Sequence, residues 1–301
     1  MYISKKVVLF AMLVITGIQH ANAESKGRGF YMGAFAGAGT TDNQDLKQTA
    51  TAYKRGELAH DVNNDPWDLL VDVKGNTKRN SLGLGGAQMG YEWAANFFNV
   101  KPAAELEAFY LGANQYAHLT NAEQEDGVWV STANGHEAGE LSEHHSIAAG
   151  VHQFANKMHM NMGLLMANGV FTYETNKVFK PYFGAGLGLA YINMTSARSY
   201  QTGPGGVELI DGPGTGAVNH FNSEKHDADV ALAEQAKIGV RAEFDSHWSA
   251  FAEYRYLHVE SSNYKFGSTD YPGHHVETSH WKVENDGMNL HAGLVGLQYA
   301  F

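Results

Sequence analysis

Seven charged residues occupy alternate positions of otherwise apolar stretches, where every second side chain would be buried. They are Glu105, Glu107, Lys237, Arg241, Glu243, Glu253 and Arg255. Buried acids and bases in this pattern can pair into an ion network, or they can line a path that conducts ions or protons. A buried carboxylate without a cation is very costly, so we expect Glu105 and Glu107 to have Lys or Arg partners. The pattern favours a structural network over a conducting path.

Histidine is frequent, at 16 of 301 residues. The densest group combines carboxylates and imidazoles: Glu137, Glu140, Glu143, His144 and His145, with His274 and His275 further along the chain. These ligand types suit zinc, and histidine titrates near neutral pH. No HExxH motif or tight ligand pair on a defined element accompanies them. We therefore predict no metal site and no cofactor, with loose cation contact or a pH response of these segments as the alternatives.

The elements that would position these residues are strands, and the last strand is the clearest. Gly287–Phe301 alternates in polarity with a period of two, which is typical of a strand. Its more apolar face carries Val295, Leu297, Tyr299 and Phe301. A lipid-facing strand of a membrane barrel places aromatic residues at the interface in this way.

Seven further segments alternate similarly and give eight candidate strands. They are Gly29–Gly39, Ser81–Trp93, Val100–Asn114, Met158–Phe171, Lys180–Met194, Ala233–Phe244, His247–Val259 and Met288–Phe301. Each has the ~9–11 residues that a tilted strand needs to cross a membrane. Three short connections alternate with four long ones. The sequence therefore predicts an all-β, transmembrane, antiparallel up-and-down barrel with short periplasmic turns and long extracellular loops.

A soluble β-sandwich would also alternate, but compact soluble domains rarely carry four such long loops. The interior of an eight-stranded barrel is about wide enough for side chains to fill. In the fifth predicted strand, however, Gly184, Gly186 and Gly188 share the inward phase and would leave room inside.

The amino terminus predicts export. Lys5 and Lys6 precede the apolar run Val7–Thr16, and Ala21-Asn22-Ala23 resembles a cleavage site. We expect residues 1–23 to be a signal peptide and residues 24–301 to form a single barrel domain. The chain has no cysteine, which excludes a disulfide framework. A formal net charge of -11 argues against nucleic-acid partners.

An enzyme is the least favoured class. The segment around His258, Glu260 and Ser261 loosely resembles the motif of outer-membrane lipid A deacylases, in which the histidine precedes the nucleophilic serine by two positions. Here Ser261 lies three positions after His258. An odd offset in a strand sends the two side chains to opposite faces, which separates a base from its nucleophile. We expect no enzymatic activity and no catalytic residue.

Several strand segments suggest a family. They are Gly29-Phe30-Tyr31-Met32-Gly33, Lys180-Pro181-Tyr182-Phe183-Gly184, Ala252-Glu253-Tyr254-Arg255-Tyr256 and Gly296-Leu297-Gln298-Tyr299-Ala300-Phe301. Together they resemble the opacity-type and OmpA-like superfamily of eight-stranded outer-membrane barrels, which includes porin-family surface antigens. That resemblance implies that Phe301, with Val295, Leu297 and Tyr299, is read by the outer-membrane assembly machinery. Unlike for full-length OmpA proteins, we expect no periplasmic peptidoglycan-binding domain after the last strand.

The expected location is the cell outer membrane, and two functional classes compete. The favoured one is a surface protein whose long acidic, histidine-containing loops mediate adhesion or act as antigens on a structural barrel. The alternative is a porin-like channel for small or apolar solutes. Expected partners are outer-membrane lipid, lipopolysaccharide, the assembly machinery and a host or surface ligand of the loops.

Overall fold

The computed structural model describes residues 29–54, 67–94, 97–122, 150, 153–175, 178–203, 219–269 and 277–301. The predicted signal peptide, and most of the residues between β5 and β6, lie outside these ranges. The described residues form thirteen strands. They are β1 Gly29–Thr41, β2 Asp45–Lys54, β3 Trp67–Thr77, β4 Ser81–Glu92, β5 Val100–Thr120, β6 Gln153–Tyr173, β7 Phe179–Gln201, β8 Asp227–Glu243, β9 Trp248–Val259, β10 Ser262–Phe266, β11 Glu277–Thr278, β12 Trp281–Asn285 and β13 Met288–Ala300.

Eight of these strands close into a ring. The order is β1, β4, β5, β6, β7, β8, β9, β13 and back to β1, and every neighbouring pair is antiparallel. Each ring strand overlaps one of the eight strands expected from alternation. The predicted antiparallel up-and-down barrel of eight strands is therefore confirmed.

The outer face of the ring is apolar along one band. Large side chains point outward at every second position, and many are more than half exposed. They include Phe30, Met32, Met89, Leu106, Leu165, Phe183, Leu189, Ile238, Val295 and Leu297. No helix among the described residues is long and apolar enough to cross a membrane. We call this outward surface the apolar band.

Aromatic residues gather where the short connections, residues 93–99, 174–178 and 244–247, join the ring strands. Ring centroids lie 4.9 Å apart for Phe30 and Tyr91, and 5.1 Å apart for Trp248 and Tyr299. Phe301 packs edge-on against Tyr299 at 5.2 Å and remains 70% exposed. Interfacial aromatic girdles of membrane barrels have this composition.

The ring continues well beyond the apolar band. β5 and β6 have 21 residues each and β7 has 23, about twice what a membrane crossing needs. Beside them, β10, β12, β2 and β3 pair in that order, and β3 joins the far end of β5. We call this upper part, with the far ends of β5 to β8, the head.

Two aspartates close the head between β8 and β10. Asp229 accepts a hydrogen bond from the Asn263 backbone N–H at 2.8 Å, and Asp227 accepts one from the Lys265 N–H at 2.6 Å. Each carboxylate thus replaces a bond that a backbone carbonyl would supply in a regular ladder. The head is a ring of eight strand segments that stands on the ring below.

Much of the sequence that is predicted to form long loops therefore belongs to the sheet. The prediction was wrong at β2, β3, β10, β11 and β12, and at the far ends of β5, β6, β7 and β8. The physical reason is visible in β2, whose inward positions include Gln48 as well as Leu46 and Ala50. A buried glutamine removes the contrast between the two faces on which an alternation argument depends.

Candidate functional site

The interior of the barrel is closed at the short-connection end by a chain of alternating charges. Its members, in order of contact, are Lys101, Glu174, Lys180, Glu243, Arg241 and Glu92. Successive nitrogen–oxygen distances are 3.4, 3.0, 2.7, 3.6 and 2.9 Å. Burial opposes ionisation of Glu174, but hydrogen bonds and attraction from Lys180 and Lys101 lower its pKa. We call this set the mouth chain.

A second group of charges lies deeper, and we call it the central cluster. Lys237 Nζ contacts Glu105, lies 2.8 Å from Glu107 Oε1 and is 4.0 Å from Glu253 Oε2. Arg255 Nη2 lies 2.8 Å from Glu107 Oε1 and 2.7 Å from Glu253 Oε1. All five side chains are at most 3% exposed. The structure thus brings together all seven charges that the sequence selects, five in the cluster and two in the mouth chain.

Two tyrosines complete the cluster, and each uses a glycine on the next strand. Tyr31 donates to Glu105 at 2.8 Å, and its cross-strand neighbour is Gly90. Tyr182 donates to Glu253 at 2.9 Å, and its neighbour is Gly239. A Cβ atom on Gly239 would lie 2.6 Å from the Tyr182 ring and hydroxyl. The glycines leave the space through which each phenol reaches a carboxylate two strands away.

Above the central cluster the interior becomes apolar. The Arg255 guanidinium lies 4.9 Å from the Phe35 ring centroid and 5.1 Å from that of Phe109, a cation–π geometry. The layer beyond it consists of buried aliphatic and thioether side chains: Leu84, Leu111, Met160, Met162, Ile192, Met194, Leu257 and Leu290. Flexible methionines fill irregular gaps well.

The room expected beside the glycines of the fifth predicted strand is occupied. A Cβ atom on Gly184 would lie 3.2 Å from Lys237 Cε, and one on Gly188 would lie 2.5 Å from Met166 Sδ. The cavity bordered by Tyr31, Glu105 and Lys237 measures about 10 Å³. That is about the space of one water molecule, so this point of the interior has no room for a solute.

The head also has a packed interior. Asn156 donates to Gln48 at 2.6 Å and Gln48 donates to Ser199 at 3.1 Å, so β6, β2 and β7 are joined across the inside. Gln44 accepts hydrogen bonds from Gln115 at 3.2 Å and Asn285 at 2.8 Å. These hydrogen bonds satisfy the buried amide nitrogens of Gln48, Gln115, Asn156 and Asn285, which would be costly to bury without a partner.

An aromatic group fills the top of the head. Trp281, 1% exposed, has ring centroids of Phe154 at 5.5 Å, His220 at 5.8 Å and Phe221 at 6.5 Å. Its indole N–H donates to Thr269 Oγ1 at 3.0 Å. Aromatic packing of this kind, with the polar indole atom satisfied, fixes β12 to the strands around it.

The remaining candidates fall partly outside the described residues. The histidine and glutamate group at residues 137–145, and His274 and His275, lie outside the described residues. Within the described ranges, no group of three His, Cys, Asp or Glu residues is arranged to hold a metal ion. His258 lies on β9 and contacts Asn289 Oδ1 at 2.8 Å, while Ser261 follows the end of that strand.

Sequence reasoning missed several interior residues, among them Glu92, Lys101, Glu174, Tyr31 and Tyr182. Glu92 and Gln88 share the inward phase of β4, whereas Met89 and Tyr91 face outward. That alternation is present in the sequence, but the many glycines of β4 make it hard to recognise. The tyrosines gave no signal, because their role depends on glycines in strands distant in sequence.

Comparisons with known proteins add three solved barrels. Neisserial surface protein A is 12% identical over 92% of this chain and 99% of its own, with a TM-score of 0.31. The outer membrane protein OprG from Pseudomonas aeruginosa is 13% identical over 93% and 100%, with a TM-score of 0.41. Ail, the attachment invasion locus protein of Yersinia pestis, is 11% identical over 91% and 99%, with a TM-score of 0.26. No protein-family model and no curated protein matches the chain.

Proposed function

We propose that the protein is an outer-membrane barrel with a closed interior, which carries a structured head for interaction at the cell surface. One observation carries the proposal: interior side chains are packed from the mouth chain through the central cluster to the aromatic top of the head. A barrel filled in this way acts as a support. Its activity then belongs to outward-facing surfaces and to the segments that emerge from the head.

Placement in the membrane rests on the apolar band and the aromatic girdle. The side chains of Leu106, Leu165 and Ile238, for example, are 52%, 60% and 61% exposed. Contact between so broad an apolar surface and water would be unfavourable. Hydrocarbon removes that cost. The short connections would then face the periplasm and the head would face outward, as in other outer-membrane barrels. Outward-facing Val295, Leu297, Tyr299 and Phe301 suit recognition by the assembly machinery.

The role of the head follows from its rigidity. Binding residues are commonly held on connecting segments that a rigid scaffold positions. The paired strands of the head give the segments at residues 55–66, 123–149, 204–218 and 270–276 fixed points of attachment. We propose adhesion to another surface molecule or antigenic display as the activity, with no catalytic step.

Planar-bilayer recording of the refolded protein tests the closed interior. We expect no steady openings from the native chain. A variant that exchanges Lys237 and Arg255 for alanine removes cationic bulk from the central cluster and should conduct. The matched control replaces exposed Lys265 and Lys282 and should remain silent. Steady openings of the native protein, abolished by interior substitutions, would contradict the proposal and favour the porin-like channel.

A further inference from the structure

One acid interrupts the apolar outward row of β8. Within Ala228–Ala242 every second residue faces outward, and seven of these eight side chains are Ala, Val, Leu or Ile. The eighth is Glu234, which is exposed. Val230 and Leu232 continue the exposed apolar row toward the head, and Ile238 continues it toward the short connections. Glu234 therefore lies within the apolar band and not beyond its edge.

An acidic side chain in this position is costly unless it finds a partner. Charged groups that face hydrocarbon destabilise membrane barrels, and ionisable residues at membrane depth commonly pair with another group and mark a functional site. Glu234 makes no hydrogen bond or ion pair with another described residue. Its neighbour on β7 is the apolar Leu187. A ligand with a cationic group would remove the cost.

The residue beside Glu234 on β9 is a histidine whose orientation is fixed. His258 lies directly opposite Glu234 on one side and directly opposite Asn289 of β13 on the other. Asn289 Oδ1 accepts hydrogen bonds from His258 Nδ1 and from the Tyr256 hydroxyl, both at 2.8 Å. Because an amide oxygen only accepts, Nδ1 carries a proton and the neutral ring offers Nε2 as an acceptor. The carboxylate and Nε2 are thus two acceptors on adjacent strands.

Further polar side chains extend this interruption across β9 and β13. Tyr256 lies opposite His291, and the two ring centroids are 5.2 Å apart. The Tyr254 hydroxyl lies 2.7 Å from His291 Nδ1. These groups satisfy one another, which leaves the carboxylate and Nε2 to meet a ligand. We call the following outward side chains the polar notch: Glu234, Tyr254, Tyr256, His258, Asn289 and His291.

A groove of small side chains runs from the polar notch toward the short connections. Its upper part has a volume of about 490 Å³ and is bordered by Tyr254. Its lower part has a volume of about 780 Å³ and is bordered by Phe179. Ala36, Ala252 and Val295 border both parts, so the groove is continuous. Volumes of this size are typical of small-molecule sites, and an open apolar groove suits an acyl chain.

The polar notch and the groove together specify the chemistry of a ligand. Glu234 attracts a positive charge, and its carboxylate and His258 Nε2 can accept N–H groups from one donor. A primary ammonium has three such donors, whereas a trimethylammonium group has none. The Tyr256 ring adds an aromatic face that stabilises a cation. Since hydrocarbon surrounds the groove in any case, the acyl chain contributes shape matching and the ammonium contact contributes selectivity.

We propose that the polar notch binds the primary ammonium headgroup of a membrane phospholipid, with one acyl chain in the groove below it. The inference rests on the proposed membrane placement and adds a specific lipid site to it. It concerns the outward wall of the barrel and is compatible with a closed interior.

Native mass spectrometry of the full-length mature protein tests this site, with phosphatidylethanolamine and phosphatidylcholine of identical acyl chains as probes. The native protein should bind phosphatidylethanolamine at least tenfold more tightly. Glu234→Gln should reduce that preference to less than twofold, and His258→Phe should reduce it at least threefold. The matched control Glu284→Gln removes an exposed acid of the head and should keep the full preference. Because Glu234→Gln removes a charge from the apolar band, its urea midpoint should equal or exceed that of the native protein.

Several outcomes would overturn the inference. Equal affinity of the native protein for the two phospholipids would contradict it, and equal losses for Glu234→Gln and Glu284→Gln would show a nonspecific effect of charge. Binding of soluble ethanolamine as tight as that of the lipid would assign the polar notch to a free amine. If the native protein floats with liposomes but shows no lipid preference, the inference fails alone. If it does not float with liposomes, the proposed function fails as well.

Discussion

Lys237 is the residue on which the central cluster most depends. It contacts Glu105 and Glu107 and is 2% exposed, so its removal would leave two buried carboxylates without their shared cation. We expect Lys237→Met to lower the free energy of unfolding by about 3–5 kcal/mol. Urea titration of the refolded barrel in detergent, followed by tryptophan fluorescence, measures this change.

Lys47→Met is the matched control for that substitution. Lys47 pairs with Asp72 at 3.4 Å, but its side chain is 37% exposed. Surface ion pairs contribute about 0–1 kcal/mol, so this variant should unfold almost as the native protein does. Equal losses for the two lysines would show that the central cluster is not an energetically critical set of pairs.

Gly239 provides a second test at the level of single residues. A methyl group there would lie 2.6 Å from the Tyr182 ring and the Ala252 carbonyl, so Tyr182 must withdraw from Glu253. We expect Gly239→Ala to cost about 1–3 kcal/mol of unfolding free energy. Gly293→Ala is the control, because nothing lies within 4 Å of its added carbon, and it should change stability by less than about 0.5 kcal/mol. Similar urea midpoints for both variants would contradict the tyrosine–glycine–carboxylate arrangement.

The mouth chain connects several ring strands. The free energy of unfolding of the barrel should therefore depend on pH. The pKa of Glu174 is lower in the folded barrel than in the unfolded chain, where carboxylates titrate near 4.3. Its contribution is therefore complete above the unfolded value and is lost as the pH falls through the folded one. We expect unfolding midpoints to be steady from pH 6 to 8 and to fall below about pH 4.5.

Glu174→Gln isolates this contribution from those of other acids. The variant should be less stable than the native protein at pH 7, and the difference should shrink at pH 3. A constant difference between the two proteins across that range would mean that the mouth chain does not titrate as argued.

At the level of strands, the alternation of polar and apolar residues was sufficient to predict the ring but not the head. β8, β9 and β13 contrast sharply, as with Lys237 and Arg241 against Ile238 and Val240. The bounds of β9 and β13 were right to within one residue, whereas β8 begins at Asp227, six residues before the predicted start.

In β2 of the head, small and amide residues share the inward positions with Leu46, so the period of two carries little polarity contrast. β12 alternates clearly, with Trp281 and Val283 inward and Lys282 and Glu284 outward, but it has only five residues. The burial of the amides depends on partners such as Ser199 and Asn156, which are distant in the sequence and unknown before folding.

The far end of β7 shows the same limit for the facing of side chains: the register with β6 shifts between Lys157 and His159, and Ser196 there has a positive φ. A regular period of two would bury Arg198, and only the bulge at Ser196 reverses it. No local motif announces that bulge. The central cluster was accessible because its charges belong to strands of regular phase. Sites built on regular alternation can be read from sequence, whereas those made by an irregularity cannot.

At the scale of the whole molecule, the described strands form one tall ring whose interior is packed with side chains. The part within the apolar band is stabilised by paired charges and thioether packing, and the part above it by amide hydrogen bonds and aromatic packing. This division explains a mean hydropathy of -0.33 in a chain with a broad apolar surface. It also leaves the outer walls of the head as the surfaces that neighbouring molecules meet.

Hydrogen exchange of the protein in nanodiscs tests this central claim most directly. If the head is a packed continuation of the ring, amides of β2 and β12 open with a free energy of at least about 3 kcal/mol and exchange over 100-fold more slowly than an unstructured chain. Exchange of β2 and β12 at the unstructured rate, with β5 and β8 still protected in the ring, would contradict the account.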